Sequence, residues 1–149
     1  MTRRPLVLVV NGPNLDKLGT RQPDVYGSTT LEELEKILHA RGEELGLDVD
    51  VFQSNVEAEV VGAVAGAAGK GVDGIVINPA ALTHFSQTLR AAIAASGLPV
   101  IEVHISNIHA REPFRRLSLV SGVAKGTIVG LGVTGYTLAL EAMAGIVNG

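Results

Sequence analysis

The chain has 149 residues, the usual size of one domain, and 46% of them are hydrophobic while 18% are charged. This composition supports a sizeable core and argues against disorder. A net charge of −3 and an aromatic content of 3% disfavour nucleic-acid binding, because that role uses basic surfaces and aromatic stacking. The lack of cysteine excludes disulfides, thiol nucleophiles and Cys-ligated zinc.

No segment has the features of a targeting sequence or a membrane span. The basic opening is followed by the apolar run 6–10, which is too short for a signal peptide. The uncharged stretches 74–89 and 126–140 are shorter than a bilayer span and contain Gly, Asn and Thr. We therefore expect a cytoplasmic protein that does not enter a membrane.

Short β-branched runs alternate with helical patterns along the chain. The runs predict five strands, at residues 6–10, 49–52, 74–77, 100–103 and 127–129. The helical patterns lie at residues 31–38, 56–69, 85–95 and 136–147. Thr30 and Glu33 form a capping box before the first of these helices, and Gly46 suits its end. This alternation predicts a single three-layer α/β domain over 1–149, with a five-stranded parallel sheet.

Polar residues follow the predicted strands. Ligands of open α/β sheets bind beyond the carboxyl ends of the strands, so function is expected in the segments 11–15, 53–55, 78–84 and 102–107. The polar candidates that we expect to cluster there are Asn14, Asn55, Asn78, His84, His104, Ser106 and Asn107.

His104 has a carboxylate partner on its own strand. Glu102 lies two residues earlier, so both side chains point to one face, where the carboxylate can fix the imidazole tautomer for general acid catalysis. A buried, purely structural histidine is the alternative. His84 could be a helix cap, His39 an exposed helix residue, and His109 a peripheral loop residue. No zinc motif supports a metal site.

Residues 18–27 form a long polar segment that predicts either a mobile surface loop or a lid. As a lid it would close Arg21 and Tyr26 over a site, with Gly19 and Gly27 as hinges. The pattern G-x-G-x-x-G at 130–135 is better explained by close helix–sheet packing than by dinucleotide binding, since only fourteen residues follow the pattern.

Taken together, the sequence resembles the type II 3-dehydroquinate dehydratases. The matching segments run in family order and are Asn-Gly-Pro-Asn-Leu at 11–15, Gly-Thr-Arg at 19–21, Tyr-Gly-Ser-Thr-Thr at 26–30, Gln-Ser-Asn at 53–55, Ile-Asn-Pro at 77–79, Thr-His at 83–84, Glu-Val-His-Ile-Ser-Asn at 102–107, His-Ala-Arg-Glu at 109–112 and Val-Ala-Lys-Gly at 123–126. The resemblance implies a flavodoxin-like sandwich that assembles as a dodecamer, a tetramer of trimers. It also implies a lyase of the shikimate pathway that converts 3-dehydroquinate to 3-dehydroshikimate by anti elimination through an enolate, without cofactor or metal.

The resemblance also assigns roles to residues. Tyr26 would take the proton alpha to the ketone, and Arg21 would favour its phenolate, since an unperturbed phenol has a pKa of about 10. Asn14 would hold a water against the enolate, while His104, oriented by Glu102, would protonate the leaving hydroxyl. The remaining residues would bind substrate: Asn78, His84, Ile105 through its backbone amide, Ser106, and Arg115 as the clamp for the carboxylate.

Several residues depart from the usual family pattern. They are Asp16, Lys17, Val56, Ala58, Ala80, Leu82, Ala91, Leu117, Leu119 and Gly122. Ala80 stands where glycine is usual, and Ala91 where an aspartate near a subunit contact is common. None of the departures removes a proton-transfer group. They leave open an alternative function, a non-catalytic flavodoxin-like binding module.

Overall fold

The computed structural model describes residues 3–20 and 22–149. Its sheet contains β1 (Leu6–Asn11), β2 (Asp48–Gln53), β3 (Gly74–Asn78), β4 (Val100–His104) and β5 (Gly126–Val129). The order is β2-β1-β3-β4-β5 and every pair is parallel. All five predicted strands are therefore confirmed, and the order is that of the flavodoxin-like doubly wound fold.

Four long helices flank the sheet, as predicted. They are α2 (Leu31–Leu45), α3 (Glu57–Ala67), α4 (Gln87–Ser96) and α6 (Thr134–Asn148), and the short turns are α1 (Pro23–Tyr26) and α5 (Pro113–Arg116). The capping box of Thr30 and Glu33 is present, and Gly46 ends α2 in the left-handed conformation. Helix α4 begins later than the pattern predicts because Ser86 is its N-cap and accepts a hydrogen bond from the amide of Leu89.

The sheet separates two hydrophobic cores. On one face, residues of α2 and α6 such as Leu38 and Leu140 pack against Val9 and Val103. On the other face, residues of α3 and α4 pack against alternate positions such as Ile77. Within the part of the chain that the structure describes, no helix has both the length and the apolar character needed to cross a bilayer.

The carboxyl ends of β1 and β3 approach each other closely. The amide of Gly12 donates to the carbonyl of Asn78 at 2.9 Å, and a Cβ on Gly12 would lie 2.5 Å from the carbonyl oxygen of Pro79. Any larger residue at position 12 would clash with the backbone of Pro79, so glycine is required here. The sequence alone indicates only a preference for a turn. The close approach brings the segments after the two strands together at one edge of the sheet.

Ala80 adopts a backbone conformation that favours glycine. Its φ of 53° lies in the left-handed region, which costs an L residue with a Cβ about 1–2 kcal/mol. Ala80, which stands where the resembled sequences usually have glycine, therefore stores local strain directly after β3.

We predict that Ala80→Gly increases the free energy of unfolding by about 1 kcal/mol, because glycine relieves the strain. The matched control is Ala94→Gly on the exposed surface of α4, where the same change should destabilise by about 0.5–1 kcal/mol. Urea unfolding at one protein concentration measures both variants. If Ala80→Gly lowers the free energy of unfolding as Ala94→Gly does, the conformation of Ala80 carries no strain.

Candidate active site

A cavity of about 260 Å³ opens at the carboxyl ends of β1, β3 and β4. It is slightly smaller than the sites of drug-sized ligands, which suits a small metabolite. Its position is the one that the α/β fold predicts, near the point where the strand order reverses. The lining residues are Pro13, Asn14, Leu15, Lys17, Leu18, Tyr26, Asn78, Ala80, Ala81, His84, His104, Ile105, Ser106, Ile108, Arg111 and Arg115.

Glu102 and His104 form the predicted pair on β4. Nε2 of His104 lies 2.5 Å from Oε2 of Glu102, and the two side chains are 5% and 1% exposed. Two further hydroxyls donate to this carboxylate, from Thr83 at 2.5 Å and from Ser118 at 2.8 Å. Burial alone would raise the pKa of Glu102, but its hydrogen bonds with His104, Thr83 and Ser118 bring the pKa below its usual range.

The ionised carboxylate determines which histidine nitrogen faces a ligand. Because Glu102 accepts, Nε2 of His104 carries the proton and donates, and Nδ1 is left for the cavity that the ring lines. The carboxylate also balances the positive charge of the imidazolium when the ring is protonated. Sequence reasoning found Glu102 from the two-residue spacing. It missed Thr83 and Ser118 as donors, because their contact with β4 depends on the tertiary fold.

Tyr26 lies on the short turn α1 and is held by an arginine that was not predicted as its partner. Nη2 of Arg111 donates to the Tyr26 hydroxyl at 2.9 Å and to the Ser106 hydroxyl at 2.8 Å. Its guanidinium carbon lies 5.7 Å from the centre of the Tyr26 ring. The predicted partner, Arg21, lies outside the described residues. The sequence indicated Arg111 only as one member of the matching segment 109–112.

The segment containing Tyr26 begins and ends with glycines in an unusual conformation. Gly19 and Gly27, the predicted hinges, have φ values of 85° and 81°. A Cβ on Gly19 would lie 2.7 Å from the carbonyl oxygen of Ser28, so the two ends of the segment are in contact. The two ends of the segment that carries Tyr26 therefore lie next to each other.

Asn14 is positioned by the end of β2 and the residues that follow it. Its backbone amide donates to Oδ1 of Asn55 at 2.8 Å, and Nε2 of Gln53 donates to the carbonyl of Gly12 at 3.2 Å. Asn14 has a φ of 71°, a conformation that asparagine tolerates, and it lines the cavity. Asn55 therefore contacts Asn14, as expected for the cluster, and supports the loop without itself lining the cavity.

The other predicted residues divide in the same way. Five of them line the cavity, namely Asn78, His84, Ile105, Ser106 and Arg115. Nδ1 of His84 is 2.7 Å from the carbonyl oxygen of Leu117, which fixes the ring beside α5. His39 and His109 are exposed, as predicted. Asn107 caps a short turn by accepting from the amide of His109, and it lines a neighbouring pocket with Tyr26, Ser106 and Arg111 but not the cavity itself.

The cavity is suited to an anion. Among its described lining residues are three cations, Lys17, Arg111 and Arg115, and no carboxylate. The guanidinium of Arg115 lies over the ring of Phe114 at 5.3 Å, and its contact with Glu112 at 3.7 Å is exposed and weak. In residues 3–20 and 22–149, no group of three acidic or histidine side chains is arranged to hold a metal ion. The arrangement combines a phenol, an imidazole with a carboxylate partner, and cations around one small cavity.

Comparison with known proteins gives a consistent result. The sequence model of a family described as dehydroquinase class II matches residues 5–144. A 3-dehydroquinate dehydratase of Methylococcus capsulatus is 53% identical over 136 residues, 91% of this chain and 92% of that protein. A catabolic 3-dehydroquinase 1 of Aspergillus terreus is 52% identical, with 93% and 90% covered. The crystal structure of a type II dehydroquinase from Propionibacterium acnes superposes with a TM-score of 0.91 at 46% identity, covering 97% of this chain and 99% of that one.

We predict that Glu102→Gln lowers stability most at neutral pH. The lowered pKa means that Glu102 contributes stability above its unfolded-state value of 4.5, and that this contribution is lost as the pH falls through its folded value. The difference in unfolding free energy between wild type and variant should therefore shrink below pH 4.5. Urea unfolding over a pH series measures it, and a difference that stays constant down to the acid limit would contradict the assignment.

Proposed function

The chain belongs to the class II dehydroquinase family, and we propose that it dehydrates 3-dehydroquinate to 3-dehydroshikimate as a hydro-lyase of the shikimate pathway. The observation that carries this proposal is the shared cavity of Tyr26, held by Arg111, and His104, held by Glu102. One side chain can remove a proton and the other can supply one, which is what the elimination of water requires. A non-catalytic binding module does not account for both pairs, and the family does not favour it.

The first step is the removal of a proton by Tyr26. Its oxygen takes the proton from the carbon alpha to the ketone, and the electron pair of that C–H bond moves toward the carbonyl oxygen to give an enolate. The guanidinium of Arg111 donates to the Tyr26 oxygen. In the proposed step this contact stabilises the negative charge of the phenolate before the proton is transferred. Arg21 is the second cation proposed for this step. Asn14 holds a water that donates to the enolate oxygen.

The second step is the loss of the hydroxyl group. The enolate electrons form the new C=C bond as the C1–O bond breaks, and the oxygen takes a proton from Nδ1 of His104 and leaves as water. Glu102 keeps the ring oriented through Nε2. The proton on Tyr26 is returned to His104 through water, which completes the cycle. The chemistry uses protein side chains and water alone.

The remaining lining residues hold the substrate. The carboxylate binds Arg115, whose guanidinium can donate two parallel hydrogen bonds. Asn78, His84, the Ser106 hydroxyl and the amide of Ile105 bind the ring hydroxyls and the carboxylate. We place this activity in a single catalytic domain spanning 1–149, in the cytoplasm and without nucleic-acid or membrane partners.

Ultraviolet absorbance on addition of 3-dehydroquinate reports the enone product and tests the proposal directly. Wild type should turn over, and Tyr26→Phe and His104→Ala should each lower kcat by about 10²–10⁴-fold, because each removes a proton-transfer group. His39→Ala, at an exposed position on α2, is the matched histidine control and should leave kcat unchanged.

Each outcome has a separate meaning. Folded wild-type protein that gives no absorbance change would overturn the dehydratase proposal. Near-normal turnover in both variants would overturn the two residue roles while keeping the activity. A yellow purified protein, stabilised by a nucleotide and not by a quinate-like acid, would support the binding module instead.

The assembly is proposed as a dodecamer, a tetramer of trimers. Val56, Phe85 and Leu117 are 52%, 62% and 56% exposed and lie on neighbouring segments, since Glu57 accepts from Ser86 and Leu117 accepts from His84. Exposed apolar groups at one place are typical of a covered surface. Light scattering at micromolar concentration should give twelve times the mass of one chain. A monomer at that concentration would contradict it.

A further inference from the structure

A buried chain of hydrogen bonds joins β1, β3 and α6 behind the cavity. The hydroxyl of Tyr136 donates to Oδ1 of Asn11 at 2.7 Å and accepts from Nδ2 of Asn78 at 2.8 Å. Oδ1 of Asn78 in turn accepts from the amide of Ala80 at 3.1 Å. Asn11 and Tyr136 are fully buried, while Asn78 is 3% exposed and lines the cavity.

The direction of every bond in this chain is determined. A backbone amide can only donate, so Oδ1 of Asn78 must face Ala80 and Nδ2 must face Tyr136. The Tyr136 oxygen therefore accepts from Asn78, and its single proton goes to Asn11. One N–H of Asn78 is used by Tyr136, which leaves the second N–H for the cavity.

We propose that Tyr136, oriented by Asn11, is a positioning residue that fixes the carboxamide of Asn78 so that its free N–H points at the substrate. This inference rests on the proposed dehydratase function, in which Asn78 binds a substrate oxygen. Without the Tyr136 hydroxyl, the carboxamide is anchored by Ala80 alone and can turn its Nδ2 away from the ligand. Tyr136 does not touch the substrate in this role and acts through Asn78.

The cost of this arrangement supports a role in function. Within the described residues, the buried Nδ2 of Asn11 has no hydrogen-bond partner, an arrangement that reduces the stability of the fold. An apolar pair at positions 11 and 136 would avoid that cost. Burial raises the pKa of the Tyr136 hydroxyl above its ordinary range, despite the opposing hydrogen bond from Asn78, so the group stays neutral and keeps its donor.

A double-mutant cycle tests the proposal in the absorbance assay. Tyr136→Phe should raise KM about 10-fold with little change in kcat, since it weakens one substrate hydrogen bond. In an Asn78→Ala background, Tyr136→Phe should add less than about 2-fold, because the group it positions is gone. If the KM effects of Tyr136→Phe and Asn78→Ala multiply in the double variant, the proposal is overturned. If Tyr136→Phe does not fold, Asn11→Ala is judged by the same criterion, because it removes the acceptor that orients the hydroxyl.

Met143→Ala is the control for a merely structural effect. Met143 is fully buried on the same helix and packs against Gly74, at the opposite end of β3 from Asn78. It should lower stability in urea unfolding while leaving KM unchanged. If Met143→Ala raises KM as much as Tyr136→Phe at equal loss of stability, the positioning role is wrong. An inactive wild type would instead reject the dehydratase function itself.

Discussion

The site depends on a carboxylate that is kept charged inside the protein. Glu102 is almost fully buried, and a charge there is tolerated only because His104, Thr83 and Ser118 all donate to it. The three donors come from three segments. His104 lies on the same strand as Glu102, Thr83 lies in the turn after β3, and Ser118 lies in the loop after α5. The carboxylate therefore ties these segments together as well as orienting the imidazole. A protonated or missing Glu102 would loosen the wall of the cavity and not the histidine alone.

On the opposite side of the cavity, Tyr26 is held by a cation and not by a buried carboxylate. Tyr26 lies on a short turn, packs against the edge of one hydrophobic core, and is held by a guanidinium that also binds Ser106. Arg111 thus links the turn that carries Tyr26 to the segment directly after β4. The proposed general acid, His104, lies on a strand of the sheet, whereas the proposed base, Tyr26, lies on a short turn outside the sheet. This division suits a site that must admit a substrate and then exclude water.

The sequence predicts the fold well because its signals are local. Capping by Thr30 and Glu33 and the β-branched runs depend on neighbouring residues, and the two-residue spacing of Glu102 and His104 places both on one face of a strand. The partner of Tyr26 could not be found this way, since Arg111 lies 85 positions away and reaches it only after folding. The strain at Ala80 likewise depends on how β3 meets the next turn, which no local pattern reports.

The pairing register of β4 also limits how this family of sequences can change length. In a strand, adjacent side chains point to opposite faces, so the loss of one residue before Glu102 would turn the carboxylate and the imidazole into the core beneath α2 and α6. Such a deletion would remove the chemistry and bury two polar groups in one event. A change of length between Gly19 and Gly27 does not exchange the two faces of a strand, although this loop carries both Tyr26 and Arg21, the base and the cation proposed above. Insertions and deletions should therefore be absent from β4 during evolution.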